Sequence, residues 1–222
     1  MAKGSYFAKH KAQIGTTKPD ENTRLAQQSI TVEQRETFEA GKVLLIDKDL
    51  HWTSFDAVRK IRNVLKIKKV GHAGTLDPLA TGLLIICTGK FTKKINEFMA
   101  QPKEYEAEFT LGSTTATYDL ESVTENFKSI EGITDEIIQE QAKAFTGEIM
   151  QMPPIYSAIK KDGVAAYELA RRGEKVALEP RPITIYNFEI TNIELPKIRC
   201  IIRCSTGTYI RSMAHDFGEA LN

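Results

Sequence analysis

From about residue 42 onward, short apolar runs and alternating segments divide the chain into strands separated by amphipathic helices. Lys42-Val43-Leu44-Leu45-Ile46 and Leu83-Leu84-Ile85-Ile86-Cys87 are brief apolar runs that read as strands, the second bounded by glycines and buried. Tyr105 to Leu111 alternates, placing Tyr105, Ala107, Phe109 and Leu111 on one side of a half-buried strand. Two more strands follow, Ile183 to Ile190 and Ile198 to Ser205. In the second, Ile198, Cys200, Ile202 and Cys204 share a face at period two. Helical spacing appears behind a cap at Thr53 or Ser54, where Phe55, Val58, Ile61 and Leu65 align. Phe91 to Met99 predicts a short helix with Ile95, Phe98 and Met99 inward. Thr134 to Phe145 predicts another, carrying Ile137, Ile138 and Phe145 and closed by Gly147. From Thr208 a final helix has the stripe Ile210, Met213, Ala214, Phe217 and Leu221. Strands and helices mix without strict alternation, so the pattern predicts an α+β fold: a mixed, mainly antiparallel sheet with flanking helices.

The pattern also sets boundaries. Residues 1–40 are polar and lack sustained periodicity, so they are expected to form a mostly flexible extension, with Ile30-Thr31-Val32 as a turn or docking strand. Residues 41–222 form the ordered domain, interrupted from Ile149 to Glu179 by an excursion that begins at Pro153-Pro154 and is moderately basic. A chain of 222 residues suffices for one sizeable core. No apolar run is long enough to span a bilayer and the N-terminus lacks a signal-peptide core, so a soluble, cytoplasmic protein is expected. Three cysteines, an odd number, argue against a disulfide framework, and no His or Cys pair completes a zinc set.

Bulk charge is uninformative, because 30 basic residues face 29 acids. Its distribution says more. Between Ala57 and Leu76 stand Arg59, Lys60, Arg62, Lys66, Lys68 and Lys69 with no acid, and a second basic strip runs from Lys197 to His215. Gathered on one face, the two strips would suit RNA phosphates. Directly after the first strip comes Asp77, a lone carboxylate in Gly71-His72-Ala73-Gly74-Thr75-Leu76-Asp77-Pro78-Leu79-Ala80-Thr81-Gly82. Pro78 biases Asp77 away from helical backbone, and the strand behind it would brace the loop. An Asp-Pro turn without chemistry is the plain alternative.

Those twelve residues resemble the G-H-x-G-x-L-D-P-x-A-x-G signature of the TruB family of pseudouridine synthases. Further elements recur in order: Lys103-Glu104-Tyr105, Ile155-Tyr156-Ser157-Ala158-Ile159-Lys160, Arg181-Pro182-Ile183 and Gly207-Thr208-Tyr209-Ile210-Arg211. The resemblance implies a pseudouridine synthase fold, with the excursion as a thumb-like insertion that grips RNA. It implies isomerisation of a tRNA uridine, in the T-arm at position 55, without cofactor, metal or obligatory protein partner, by a monomer. Asp77 is then the catalytic carboxylate and Arg211 the guanidinium that keeps it charged in a water-poor pocket. Tyr105 stacks on the uracil and accepts or relays its C5 proton. His72 contacts the RNA loop from which the base is flipped. Lys93, Tyr209, Gly74 and Leu76 complete the substrate-binding set.

The chain departs from the family pattern in three places. The motif K-P-x-G-x-T-S reads Lys48-Asp49-Leu50-His51-Trp52-Thr53-Ser54, without its proline and glycine, and T-D-T-x-D reads Thr115-Ala116-Thr117-Tyr118-Asp119. Neither segment is expected to touch the chemistry directly. The third is the end of the chain, at or near the last helix, with no PUA domain expected. The rival functions are a non-catalytic RNA-binding or RNA-folding module on the same scaffold and a guide-dependent, dyskerin-type synthase. A Walker-type phosphate loop at Thr88-Gly89-Lys90 fails because Phe91 stands where Ser or Thr is required.

Overall fold

The computed structural model describes residues 30–161, 163–174 and 176–221. The expected extension from Met1 to Ser29 lies outside the described residues. Its last part does not behave as an extension. Thr31 caps helix α1 (Val32–Ala40) through a reciprocal capping box with Gln34, and Phe38 packs against the core that follows. The buried Thr88 hydroxyl donates to Phe38 O at 2.8 Å and accepts from Lys42 N–H at 3.0 Å, tying the helix end to the sheet. The approach is so close that a Cβ on Gly89 would lie 2.0 Å from Glu39 O, and only glycine fits. With only Val32 and Phe38 as large apolar residues, α1 has no stripe for a periodicity argument to find.

The first sheet contains β1 (Val43–Lys48), β2 (Val70–His72) and β3 (Gly82–Thr88), ordered β1-β3-β2 and antiparallel throughout. Leu44, Ile46, Leu84 and Ile86 pack on α2 (Ser54–Leu65) through Ala57, Val58, Ile61 and Leu65. This buried stripe begins at Ser54 rather than Phe55, which is exposed. Leu45 and Leu83 are exposed on the other face, so β3 is not enclosed on both sides as its apolar run predicts.

After a 3-10 turn (Gly89–Lys94) and the short α3 (Ile95–Met99, with Met99 exposed), the chain enters the second sheet. Its strand β4 (Lys103–Thr110) is followed by a small hairpin, β5 (Thr114–Thr115) and β6 (Thr124–Glu125), then α4 (Asp135–Ala144) and β7 (Gly147–Gln151). The excursion carries β8 (Lys160–Lys161), β9 (Val164–Ala165) and α5 (Ala166–Arg171), and the chain returns through β10 (Arg181–Glu194) and β11 (Lys197–Cys204) to α6 (Ile210–Ala220). The order β4-β11-β10-β7 is wholly antiparallel. Because β7 pairs along β10, the excursion starts after Gln151, not at Ile149.

Ile198, Cys200, Ile202 and Cys204 all lie in the second core, as their period predicts, beneath Ile138 of α4 and Met213 and Phe217 of α6. Ile137, carried by the same helix as Ile138, is exposed. Phe217 sits among Phe109, Phe145 and Phe188 with ring centroids 5.2–6.1 Å away. Truncating such a buried ring costs about 3–5 kcal/mol, and this packing fixes the helix that begins next to Arg211. The second basic strip, by contrast, is partly offset by acids on β4. Lys197 and Arg199 both pair with Glu108, and Arg203 stands opposite Glu104. Strand pairing supplies acids that lie far away in sequence.

Candidate active site

The loop between β2 and β3 is held at both ends before any functional group is placed. Ala73 N–H donates to Ile85 O at 2.8 Å, and Ala80 N–H donates to Asp77 O at 3.0 Å, closing a turn around Pro78. Ser54, buried at the start of α2, clamps Leu76 from both sides: its hydroxyl accepts from Leu76 N–H at 2.9 Å and donates to Leu76 O at 3.1 Å. His51 N–H donates to Pro78 O at 2.8 Å. The backbone on either side of Asp77 is therefore anchored to the segment between β1 and α2.

Arg211, at the start of α6, meets the Asp77 carboxylate with two nitrogens. Its Nε donates to Oδ2 at 2.9 Å and its Nη2 to Oδ1 at 3.2 Å. This is the planar fork that a guanidinium offers and an ammonium does not. The remaining donors reach Thr117 O at 3.2 Å and Tyr156 O at 3.0 Å, and the Asp119 carboxylate lies 3.8 Å from Nε. One side chain thus joins the Asp77 loop, the β5–β6 hairpin, the excursion and α6. Arg211 is 12% exposed and Asp77 is 42% exposed, so the cation forms the floor of the site and the carboxylate opens to solvent.

Lys48 is a second cation at the site. It is 1% exposed, and its Nζ donates to Asp49 O at 3.0 Å and Trp52 O at 2.6 Å. Burial pushes its pKa down, while the charges of Asp77 and then Asp49 pull it back up. Tyr105 lies on strand β4 of the second sheet. Burial, then Cys204 and then the Asp77 charge push its phenol up to about 12. The backbone of Tyr209 is fixed by buried Gln151, whose amide accepts from Tyr209 N–H at 2.8 Å and donates to Tyr209 O at 3.1 Å.

The other expected residues are distributed unevenly. His72 ends β2, and its Nδ1 hydrogen-bonds to Gly74 O. A carbonyl only accepts, so Nδ1 carries the proton and Nε2 is left free. Gly74 adopts φ 117°, with nothing within 4 Å of where a Cβ would stand. Leu76 serves through its backbone. Lys93 is exposed on the 3-10 turn, and no ion pair or hydrogen bond links it to Asp77 among the described residues. Arg62 is half-buried, with its Nη2 donating to Val70 O at 3.4 Å and its Nε buried without a hydrogen bond.

The two divergent segments, expected to stay clear of the chemistry, make contacts within the candidate site. Thr117 and Asp119 contact Arg211, and the segment from Lys48 to Ser54 supplies the buried ammonium and the Leu76 clamp. Their signal was present in the retained motif positions: Lys48, Thr53 and Ser54 in the first, and Thr115, Thr117 and Asp119 in the second. The loop keeps its shape without the motif's glycine because His51 itself adopts φ 67°. The result is a carboxylate oriented by a guanidinium fork, with a tyrosine that stays protonated near neutrality. This arrangement suits attack on a polarised sugar or base without redox chemistry.

Comparison with known proteins points the same way. Residues 62–210 match the model of the TruB family pseudouridylate synthase N-terminal domain. The tRNA pseudouridine synthase B of Flavobacterium johnsoniae is 56% identical over 194 residues, covering 84% of this chain and 85% of that protein. The protein of the same name from Parabacteroides distasonis is 50% identical over 190 residues, covering 83% and 81%. Among solved structures, a chain of a Cbf5–Nop10–Gar1 complex superposes with a TM-score of 0.64 at 28% identity, covering 86% of this chain and 48% of that one. A chain of an H/ACA RNP bound to a substrate RNA containing 2′-deoxyuridine gives 0.60 at 26% identity, covering 87% and 46%. This chain thus spans about half the length of those two. With the sequence motifs, the α+β fold and the family match in agreement, the chain belongs to the TruB family of pseudouridylate synthases.

Proposed function

We propose that this chain converts a uridine in the T-loop of tRNA, at position 55, to pseudouridine. The bond from ribose C1′ to uracil N1 breaks, the base turns, C1′ bonds to C5, and the C5 proton is released as N1 gains one. Substrate and product are isomers, so no oxidant, nucleotide or metal enters the balance. The target base must leave its stack, at a cost of a few kcal/mol. Asp77 supplies the negative oxygen at the ribosyl–uracil junction, and Arg211 aims it through two hydrogen bonds. Tyr105 offers an aromatic face for the uracil. With a pKa of about 12 its hydroxyl donates a hydrogen bond near neutrality, because roughly one such phenol in 10⁵ is ionised at pH 7. That makes it a poor unaided acceptor for the C5 proton. His72, with Nε2 free, faces the RNA loop that gives up the base.

The observation that carries this reading is the two-point Asp77–Arg211 pair in a site open to solvent. The test is incubation with an unmodified tRNA transcript, without guide RNA or added protein, and mapping of pseudouridine by base-specific chemistry. Product is expected at one T-loop uridine and none from Asp77→Ala. Binding without product from the native chain would favour the RNA-binding module. Product only with a guide RNA would favour the dyskerin-type reading.

A further inference from the structure

The loop between β1 and α2 presents two large side chains that its backbone role does not require. His51 takes φ 67°, a left-handed conformation that disfavours any residue with a Cβ, where the TruB motif has glycine. Trp52, next to it, is 38% exposed. Both are held firmly, His51 by its bond to Pro78 O and Trp52 by the Lys48 ammonium on its carbonyl. A strained residue kept beside an active-site loop points to a use for its side chain.

Those side chains, with Asp56, Arg59, Lys60 and Asn63, line an open cavity of about 320 Å³. The only acid in the lining is already engaged. Asp56 accepts from the Thr53 hydroxyl and N–H and pairs with Arg59. Lys60 forms no ion pair among the described residues. The walls therefore combine an indole, an imidazole, an amide, the Arg59–Asp56 ion pair and the Lys60 ammonium, with Trp52 as the one large apolar group. A protein-docking surface would need more apolar area. An aromatic platform beside cations is how proteins hold unpaired nucleotides.

We infer that this cavity is a subsite for one unpaired nucleotide of the substrate RNA other than the target uridine, with Trp52 stacking on its base and Arg59 and Lys60 meeting its phosphates. The subsite rests on the tRNA reading above. It adjoins the Asp77 loop through the His51–Pro78 bond, so its nucleotide belongs to the same RNA loop as the target. The site then reads RNA on the α2 side of Asp77, away from the excursion.

Trp52 is the chain's single tryptophan, so its emission reports on this subsite alone. Titration with an unmodified tRNA transcript should quench that emission saturably, at the same midpoint as an independent filter-binding curve. Trp52→Ala should raise KM about tenfold, the scale of one lost stacked base, with the loss falling on KM rather than kcat. Trp52→Phe should recover most of it. Lys60→Gln should lower the slope of log affinity against log salt by about one. A chain that modifies tRNA with unmoved tryptophan emission and an unchanged KM in Trp52→Ala overturns the subsite and leaves the catalytic reading standing. A chain that neither binds nor modifies tRNA overturns both. A tenfold loss in Trp52→Ala that falls on kcat alone would make Trp52 a structural support for Lys48 and also overturn the subsite.

Discussion

Replacing Arg211 with lysine keeps the positive charge and removes the fork, so it isolates what geometry contributes. Arg211 donates four hydrogen bonds, two to Asp77 and one each to Thr117 O and Tyr156 O. A lysine has no planar pair of donors and cannot serve carboxylate and carbonyls in that arrangement, so at least two bonds are lost. A hydrogen bond to a charged group contributes about 1.5–3 kcal/mol. Asp77 is 42% exposed, and solvent screening moves each bond toward the lower values of exposed pairs, about 1 kcal/mol. The expected loss of stability is about 2 kcal/mol, read from urea denaturation. The effect on rate is larger, because a displacement of about 1 Å in a reacting group lowers rates on the order of 10²-fold. Single-turnover rates on a tRNA transcript at saturating enzyme should fall about 100-fold in Arg211→Lys while KM stays within about threefold. A variant retaining more than about a third of the native rate would refute the claim that Arg211 aims Asp77. So would a rate loss matched by the unfolded fraction under assay conditions.

Other expectations follow from single contacts. Ser54→Ala leaves Leu76 N–H and C=O without their partner, and should lower stability by about 2 kcal/mol and the single-turnover rate about tenfold; an unchanged rate would mean that the Asp77 loop is braced elsewhere. His51→Gly relieves φ 67° and should raise the urea midpoint by an amount equivalent to about 0.5–1 kcal/mol; a lower midpoint would show that the imidazole stabilises the loop. Burial raises the pKa of both Tyr105 and Cys200 to about 12, so the folded chain keeps protons that the unfolded chain releases near 10.0 and 9.0. Their contribution is complete below pH 9 and is lost as pH rises toward 12. Lys48, lowered by burial, acts in the opposite sense just below 10.5. Stability from urea curves should therefore decline between about pH 9 and 11, and Cys200→Ala should flatten the decline; an equally steep slope in that variant would remove the thiol from the account.

The sheets and the helices packed on them were legible because their signals are local. Period two placed Ile198, Cys200, Ile202 and Cys204 in one core, and the α6 stripe placed Met213 and Phe217 above them. Signals carried by partners elsewhere in the chain were not legible. Lys197 and Arg199 read as a basic strip until strand pairing sets Glu108 against them. The helix α1 is too poor in apolar residues to announce itself, and its docking depends on Thr88 and on the missing side chain of Gly89. Phe55 and Ile137 lie at the margin of their stripes, where periodicity alone does not decide which turn faces the core.

The candidate site divides along a related line. Asp77 and Arg211 stand 134 positions apart and meet with their side chains, so residue type and motif named both. The groups that hold them act largely through main-chain atoms: Thr117 O and Tyr156 O on Arg211, the Leu76 peptide on Ser54, and the Tyr209 peptide on Gln151. A carbonyl oxygen has the same chemistry in every residue, so the sequence around it can drift while the contact persists. This explains how the segments from Lys48 to Ser54 and from Thr115 to Asp119 lose motif residues and still reach the site. Among the residues that remain in them are side chains for which no backbone atom can substitute. These are the Lys48 ammonium, the Ser54 hydroxyl and the Asp119 carboxylate, each buried or partly buried against the Asp77–Arg211 pair or its loop. Two of the positions that drifted, Asp49 and His51, stand where the motif uses proline and glycine, residues that shape the backbone, and His51 reproduces that shape at φ 67°, whereas Ala116 replaces a motif aspartate. In the segment from Lys48 to Ser54 the pattern of loss and retention therefore follows the division between shaping and contacting the site.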